Sequence, residues 1–377
     1  MRTEYNDNVL LTPGSKTAAW GLIAAPDVKL GYRTETVELV GGLSASINRY
    51  PSKSELDTDN YAGDMRGSVR LERDVLGFGV ASRRDATLVS ELEETGTVLA
   101  YRQRTLSTAQ ASWTRLLSER DSLSATYAFS RADYADTTGT GLTDYTAHGA
   151  AVTWQRLLDE RSSLAVTASF DHYDTQPARF RAATYGIRAR YLYALSETFR
   201  GGVTAGWRRS DTRVESHVLV CEGFVLLGAC FGNVFELSDV EKDRSSGYTL
   251  DGFLEKKTER DTWTARLSRQ INPSGLGAIV ETDRVGATWS RELSPTVSAS
   301  LDAAAYRTRF VGGTVRGSDS TYYRIEPRMS WRITDWWLLS GGYRYARQRY
   351  EGASGAGEGN LAYLTLTYRW PRISMSR

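Results

Sequence analysis

The sequence is poor in the residues that staple, kink or catalyse: among 377 residues there are 2 cysteines, 8 prolines and 3 histidines. Two cysteines cannot frame a disulfide-built fold, and Cys221 and Cys230, with one nearby histidine, match no structural zinc spacing. No linker or shift in composition divides the chain, as two soluble domains of this combined length would require. No run approaches the ~18–20 apolar residues that a membrane helix needs. That excludes a helical membrane protein but not a barrel, whose strands turn only alternate residues to lipid. Neither sign of charge dominates, with 47 Lys and Arg against 45 Asp and Glu, so the chain lacks the basic excess of a nucleic-acid binder. No charged segment followed by an apolar one opens the sequence, and a signal peptide is therefore read as absent from it.

Tyrosine (21), tryptophan (10) and glycine (34) are plentiful, and polar and apolar residues alternate with a period of two. In 163–173, Leu164, Val166, Ala168 and Phe170 alternate with Ala165, Thr167, Ser169 and Asp171. In 322–333, Tyr323, Ile325, Met329, Trp331 and Ile333 alternate with Arg324, Glu326, Arg328 and Arg332. Such alternation over ~10 residues marks a strand with one apolar and one polar face.

It predicts eighteen strands, at 1–8, 18–33, 36–50, 60–74, 76–88, 98–117, 121–132, 145–158, 162–173, 184–195, 199–213, 246–257, 261–271, 280–293, 297–310, 319–333, 336–350 and 360–370. After the first, the connections alternate between short, mostly charged turns (33–36, 118–121, 196–199, 257–261) and longer stretches rich in Gly, Asp, Ser and Thr (51–59, 133–144, 174–183, 214–245, 311–318, 351–359). Short turns at one rim and long loops at the other are the layout of an outer-membrane barrel. The expectation is all-β: one closed, antiparallel, up-and-down transmembrane barrel over 1–370, with 371–377 as a periplasmic tail. Aromatic residues near strand ends, among them Trp20, Tyr61, Trp113, Trp154, Trp207, Trp263, Trp289, Trp331 and Trp337, fit girdles at the two headgroup levels.

The polar face carries Lys29, Arg33, Asp64, Arg66, Arg70, Glu72, Arg188, Arg190, Arg208, Asp251, Glu255, Arg266, Arg324, Glu326, Arg328 and Arg344. Arginine and tyrosine can hydrogen-bond carboxylates and hydroxyls while stacking on sugar rings. The plainer reading is a wet interior whose charges pair across strands. His148 and His172 fall on adjacent strands and His217 in the longest loop, with no orienting third group assignable to any of them. No catalytic residue, metal site or cofactor is expected.

Cys221 and Cys230 lie within HVLVCEGFVLLGACF (217–231), in that longest loop. In an oxidising compartment the pair can clip the loop into a compact hairpin. Its apolar content fits either a plug folded over the lumen or a surface loop packed on itself or a partner.

The opening segment Glu4-Tyr5-Asn6-Asp7-Asn8-Val9, with Ala25-Pro26-Asp27-Val28, Ser90-Glu91-Leu92…Gly96 and Asp144-Tyr145…His148, resembles a family of outer-membrane barrels of exopolysaccharide loci, including the exosortase-associated kind. The likeness extends loosely over the whole chain. It implies passive export of a secreted polysaccharide through the barrel, with lipopolysaccharide around it and periplasmic polysaccharide-export proteins as partners. The strand Ala362–Leu364–Leu366–Tyr368–Trp370 resembles the closing strand recognised by the assembly machinery. The competing functions are a general or solute-specific porin and, from another class, an outer-membrane enzyme or adhesin.

Overall fold

A computed structural model describes residues 1–87, 101–138, 140–176, 180–226, 229–311, 319–352 and 355–370. Alternating faces become nineteen strand segments. They are β1 (Arg2–Asn6), β2 (Ala19–Ala24), β3 (Asp27–Arg33), β4 (Val37–Arg49), β5 (Thr58–Arg70), β6 (Asp74–Ala86), β7 (Gln103–Leu116), β8 (Asp121–Tyr134), β9 (Asp144–Leu157) and β10 (Ser162–Gln176). There follow β11 (Phe180–Ala194), β12 (Phe199–Leu226), β13 (Ala229–Lys257), β14 (Asp261–Ser274), β15 (Ala278–Glu292), β16 (Val297–Val311), β17 (Ser320–Arg332), β18 (Trp337–Tyr350) and β19 (Ala356–Tyr368).

Each strand except the collinear pair β2 and β3 pairs antiparallel with its chain neighbour, and β1 closes the ring by pairing with both β2 and β19. The nineteen segments make an eighteen-strand barrel because β2 and β3 are one strand. Leu22 stands opposite Arg49 and Asp27 opposite Ser44, a continuous register on β4 broken only at Ala25–Pro26, where proline has no N–H to give the ladder. The outer strand face is apolar and exposed, as at Val28, Leu30, Ile187, Val285 and Met329, and the intervening side chains turn to the lumen.

The inner rim repeats one turn. Its first residue is a Ser, Thr or Asp whose side-chain oxygen accepts backbone N–H groups two or three residues on. Thr34 accepts from Val37 at 3.0 Å, Ser118 from Asp121 at 3.0 Å, Asp159 from Arg161 at 2.7 Å, Thr258 from Asp261 at 3.0 Å and Thr334 from Trp337 at 3.1 Å. Such short polar side chains stand in for the turn's own backbone bonds. Tryptophans gather just above these turns. Trp113 Nε1 donates to Asp74 at 2.8 Å and Trp289 Nε1 to Asp261 at 3.0 Å, so each ring lies on apolar surface with its polar edge toward the headgroup level. A second outward aromatic belt, including Tyr61, Tyr185, Trp207, Tyr248 and Tyr323, runs further up the wall.

The segment 214–245 is not a loop. β12 and β13 continue through it as a ladder from Val214↔Glu241 to Leu226↔Ala229. β11 leaves β12 at Val214, and β14 reaches β13 only from Leu250 down, so above the wall these two strands pair with each other alone among the described residues. The run of β-branched and aliphatic residues that looks too apolar for a loop is strand-forming. The side chains of Cys221 and Cys230 lie outside the described residues. Their backbones stand opposite Val234 and Val225, four residues apart along the ribbon. That offset is about 13 Å of strand, and this register does not bring the two to disulfide distance.

Candidate functional site

The site is the lumen, and strand parity places its side chains. Arg66 and Arg70 on β5, Arg188 and Arg190 on β11, Arg208 on β12, Arg266 on β14, Arg324, Glu326 and Arg328 on β17 and Arg344 on β18 all fall on the inward face of their ladders. Glu72 does not. It lies in the inner turn between β5 and β6, closed by the bond from Leu71 N–H to Asp74 O at 2.7 Å, where no strand parity applies.

Two walls of different chemistry face each other. From β7 to β10 the inward side chains are mostly small or hydroxylic, with Thr108, Thr126, Ser130, Thr153, Thr167 and Ser169 among them and Arg104, Gln110 and Asp171 as exceptions; the Thr153 and Thr167 hydroxyls lie 2.8 Å apart. From β16 round to β1 they are charged. Glu326 is the hub of that wall: it accepts from Tyr363 Oη at 2.6 Å, Arg328 Nη2 at 2.8 Å and Arg344 Nε at 2.6 Å. Arg328 Nε also donates to Tyr363 Oη at 2.8 Å, and the Arg2 guanidinium lies 4.0 Å above the Tyr363 ring. Alongside, Arg324 pairs with Asp302 at 3.0 Å. The charge-assisted bonds hold these side chains against the wall. Arg190 and Arg266 have no carboxylate within ion-pair distance among the described residues, and Arg284 lies 4.7 Å over the Tyr306 ring.

Two outer connections enter the lumen. The first is the tip of the β14–β15 hairpin. β14 loses β13 as a partner above Arg269, which frees the β14 edge to bend inward while β15 stays laddered to β16 as far as Ile279 opposite Val311. Their turn, Ser274–Ala278, is buried throughout and closes on Gly277 at φ 67°, a backbone that a side chain would strain. Tyr173 of β10 donates from its hydroxyl to Ser274 O at 2.7 Å, and Thr143 N–H donates to Gly275 O at 2.7 Å. Leu276 and Ile279 pack with Tyr134, Leu142, Tyr145, Tyr173, Phe180 and Ala182, all carried by β8–β11 and the β8–β9 connection. At the base, Arg208 donates to Glu281 at 2.8 Å in a nearly solvent-free pair, and Asp283 holds Arg269 and, at 2.6 Å, Arg309.

The second is the β1–β2 connection, which explains the Asn6-Asp7-Asn8 motif. Asn8, almost fully buried, gives its Nδ2 to Thr12 O at 3.1 Å and Glu358 O at 2.9 Å, and takes a bond from Thr12 N–H at 3.3 Å. The clasp sets Leu11 (φ 50°) among Ala304, Tyr306, Tyr322 and Ala346. Asp7 follows a related logic at the rim. Partial burial alone would raise its carboxyl, but bonds from the Asn360 side chain and backbone and from Lys16 hold it below the usual range.

Beneath the hairpin lies a cavity of about 840 Å³ whose lining includes Arg66, Gln110, Asp171, Arg188 and Asp251, roofed by residues 269–273 and Ile279. His148 and His172 border this cavity from the wall, but ladder parity turns their side chains the other way. His148 and His172 stand opposite each other on the outward face, where His148 Nδ1 meets the Tyr127 hydroxyl at 2.7 Å and its ring lies 5.0 Å from Phe129. The His217 side chain is outside the described residues. The lumen therefore offers cationic and hydroxylic surface along a constricted path.

No family model and no curated protein matches the chain. Solved structures do match it. They include the FrpB iron transporter from Neisseria meningitidis in its F5-1 variant (TM-score 0.53, 12% identity, 98% of this chain and 67% of that chain). Others are the outer-membrane alcaligin receptor FauA from Bordetella pertussis (0.46, 12%, 98% and 65%) and OpdL of Pseudomonas aeruginosa (0.42, 11%, 98% and 97%). The chain spans about two-thirds of the length of FrpB. At this identity the likeness shows the fold alone, that of bacterial outer-membrane barrels.

Proposed function

We propose that this barrel is an outer-membrane conduit for an anionic exopolysaccharide, closed at rest by the β14–β15 hairpin. The observation that carries this reading is the mixed lining of the lumen: inward arginines, of which Arg190 and Arg266 have no carboxylate partner among the described residues, share the lumen with a wall rich in threonine and serine hydroxyls. An acidic sugar chain carries both complements, carboxylates for the guanidiniums and hydroxyls for the opposite wall. Hydroxyl contacts are individually weak and recur along the strand direction, which suits a chain that must slide rather than stay bound. Passage is passive, with force supplied from the periplasmic side by polysaccharide-export partners. The surrounding lipid is that of the outer membrane.

The test is a deletion strain assayed for polysaccharide in the medium and in the periplasm. Loss from the medium with periplasmic accumulation supports the conduit; unchanged secretion ends it. A solute-specific porin is the second reading, favoured by the cavity under the hairpin. Reconstituted barrels that pass small anions freely while the deletion strain secretes normally would support it.

A further inference from the structure

The outward face changes character two to four residues above the upper aromatic belt: it becomes a ring of arginines. Ladder parity puts Arg131 on β8, Arg181 on β11 and Arg209 on β12 there, each paired with a carboxylate. On β16–β18 the pattern differs. Arg309 is paired with Asp283 on one flank and Arg347 with Glu358 on the other, while the exposed Arg307 and Arg349 between them have no partner among the described residues. Arg307 stands opposite Thr321, and Thr321 opposite Arg349, so the three share one height on the outward face; on the other side Arg307 stands opposite Asp283, which is already held by Arg269 and Arg309. Two strand spacings separate their backbones by about 10 Å.

Their height decides what they meet. Arg307 is ten residues up β16 from Val297 at the inner rim, and Arg349 twelve up β18 from Trp337. At about 3.3 Å per residue and a tilt of roughly 40° this is about 25–30 Å, the top of the apolar band. Tyr323, two residues below Thr321 on the same face, is half exposed, as an aromatic at that boundary should be. A guanidinium in hydrocarbon is costly, whereas one at the headgroup level of a leaflet rich in phosphate is stabilised.

We infer that Arg307, Thr321 and Arg349 form a docking site for the phosphate of an outer-leaflet glycolipid headgroup, with the acyl chains descending past Tyr323. Each guanidinium presents parallel N–H donors that suit phosphate oxygens, and the Thr321 hydroxyl adds a third donor between them. The inference rests on the barrel's orientation in the membrane and not on what passes through its lumen.

The test is native mass spectrometry of the detergent-purified barrel titrated with diphosphoryl lipid A, dephosphorylated lipid A and phosphatidylglycerol. Wild type should retain diphosphoryl lipid A alone. Arg307→Ala/Arg349→Ala should weaken that binding about thirtyfold, while Arg307→Lys/Arg349→Lys should restore most of it. Arg131→Ala, whose arginine is already committed to Asp133, should leave it nearly unchanged. Heat-modifiable migration on gels verifies that each variant is folded. Equal retention by the Ala double variant overturns the site, as does retention of the dephosphorylated lipid. Equally tight phosphatidylglycerol binding overturns the assignment to a glycolipid.

Discussion

Two hairpins rise from neighbouring parts of the wall and go opposite ways. β12–β13 is longer, apolar and carries both cysteines, yet above Val214 and Leu250 it pairs, among the described residues, only with itself. β14–β15 is short, with an Asn-Pro-Ser-Gly-Leu-Gly turn, and it crosses the lumen to meet β8–β11. Apolar content alone does not make a plug. What matters is where the ladder lets go and what waits opposite. β14 parts from β13 at Arg269, and a ready-made apolar patch of Tyr134, Tyr145, Tyr173 and Phe180 faces Leu276 and Ile279.

The contrast can be broken most severely by deletion. Removing 274–278 should raise single-channel conductance several-fold in planar bilayers, because the segment's burial marks it as filling the lumen. Removing 218–231 should leave conductance unchanged. The reverse outcome would make the ribbon the plug. Next in size, Leu276→Ala should cost the closed arrangement about 2–3 kcal/mol, within the range for a buried leucine, read as faster hydrogen exchange over 274–280 with the wall unaffected. Wall strands that lose protection equally would show that the hairpin is part of the global core rather than a separate closure. Tyr173→Phe removes the hydroxyl bond to Ser274 O, worth about 0.5–1.5 kcal/mol, and should increase open dwell time modestly at unchanged conductance.

The smallest effect contrasts these hairpins with the inner turns. In the turn 158–162 the Asp159 carboxyl is held below its usual range, chiefly by the Arg161 backbone N–H, with the Ser162 hydroxyl next. A depressed carboxylate contributes stability that is present above the unfolded value of about 3.9 and is lost as pH falls through the folded value. Asp159→Asn should therefore match wild type in denaturant midpoint at the lowest pH and fall slightly behind it above pH 5. A deficit of the same size at every pH would assign the effect to packing instead.

How much could be read beforehand follows from what alternation reports. Strand positions and the inward arginines depend only on period-two patterning, which a barrel enforces at every residue facing lipid. Parity says nothing in a turn, so the sequence pattern groups Glu72 with the lumen although its turn places it at the inner rim. The 214–245 segment reads as a loop when loops are sought between barrel strands of ordinary length, and its β-branched run is the sign of a continuing ladder. The hairpin plug left a trace as well: Leu276, Ala278, Ile279 and Val280 break the alternation with apolar residues in sequence, as in a strand buried on both faces. The Asn8 clasp leaves no periodic signal, because it is a set of side-chain bonds to backbone groups far apart in sequence, Thr12 and Glu358.

The closure is tested most directly by locking it. Thr143 and Gly275 touch through their backbones, so Thr143→Cys/Gly275→Cys, in a background with Cys221 and Cys230 replaced by serine, places a thiol on each side of the gap. The account predicts rapid oxidation to a species with no resolved channel openings, which return when the disulfide is reduced. Thiols that fail to cross-link, or a locked barrel that conducts as well as the reduced one, would contradict it.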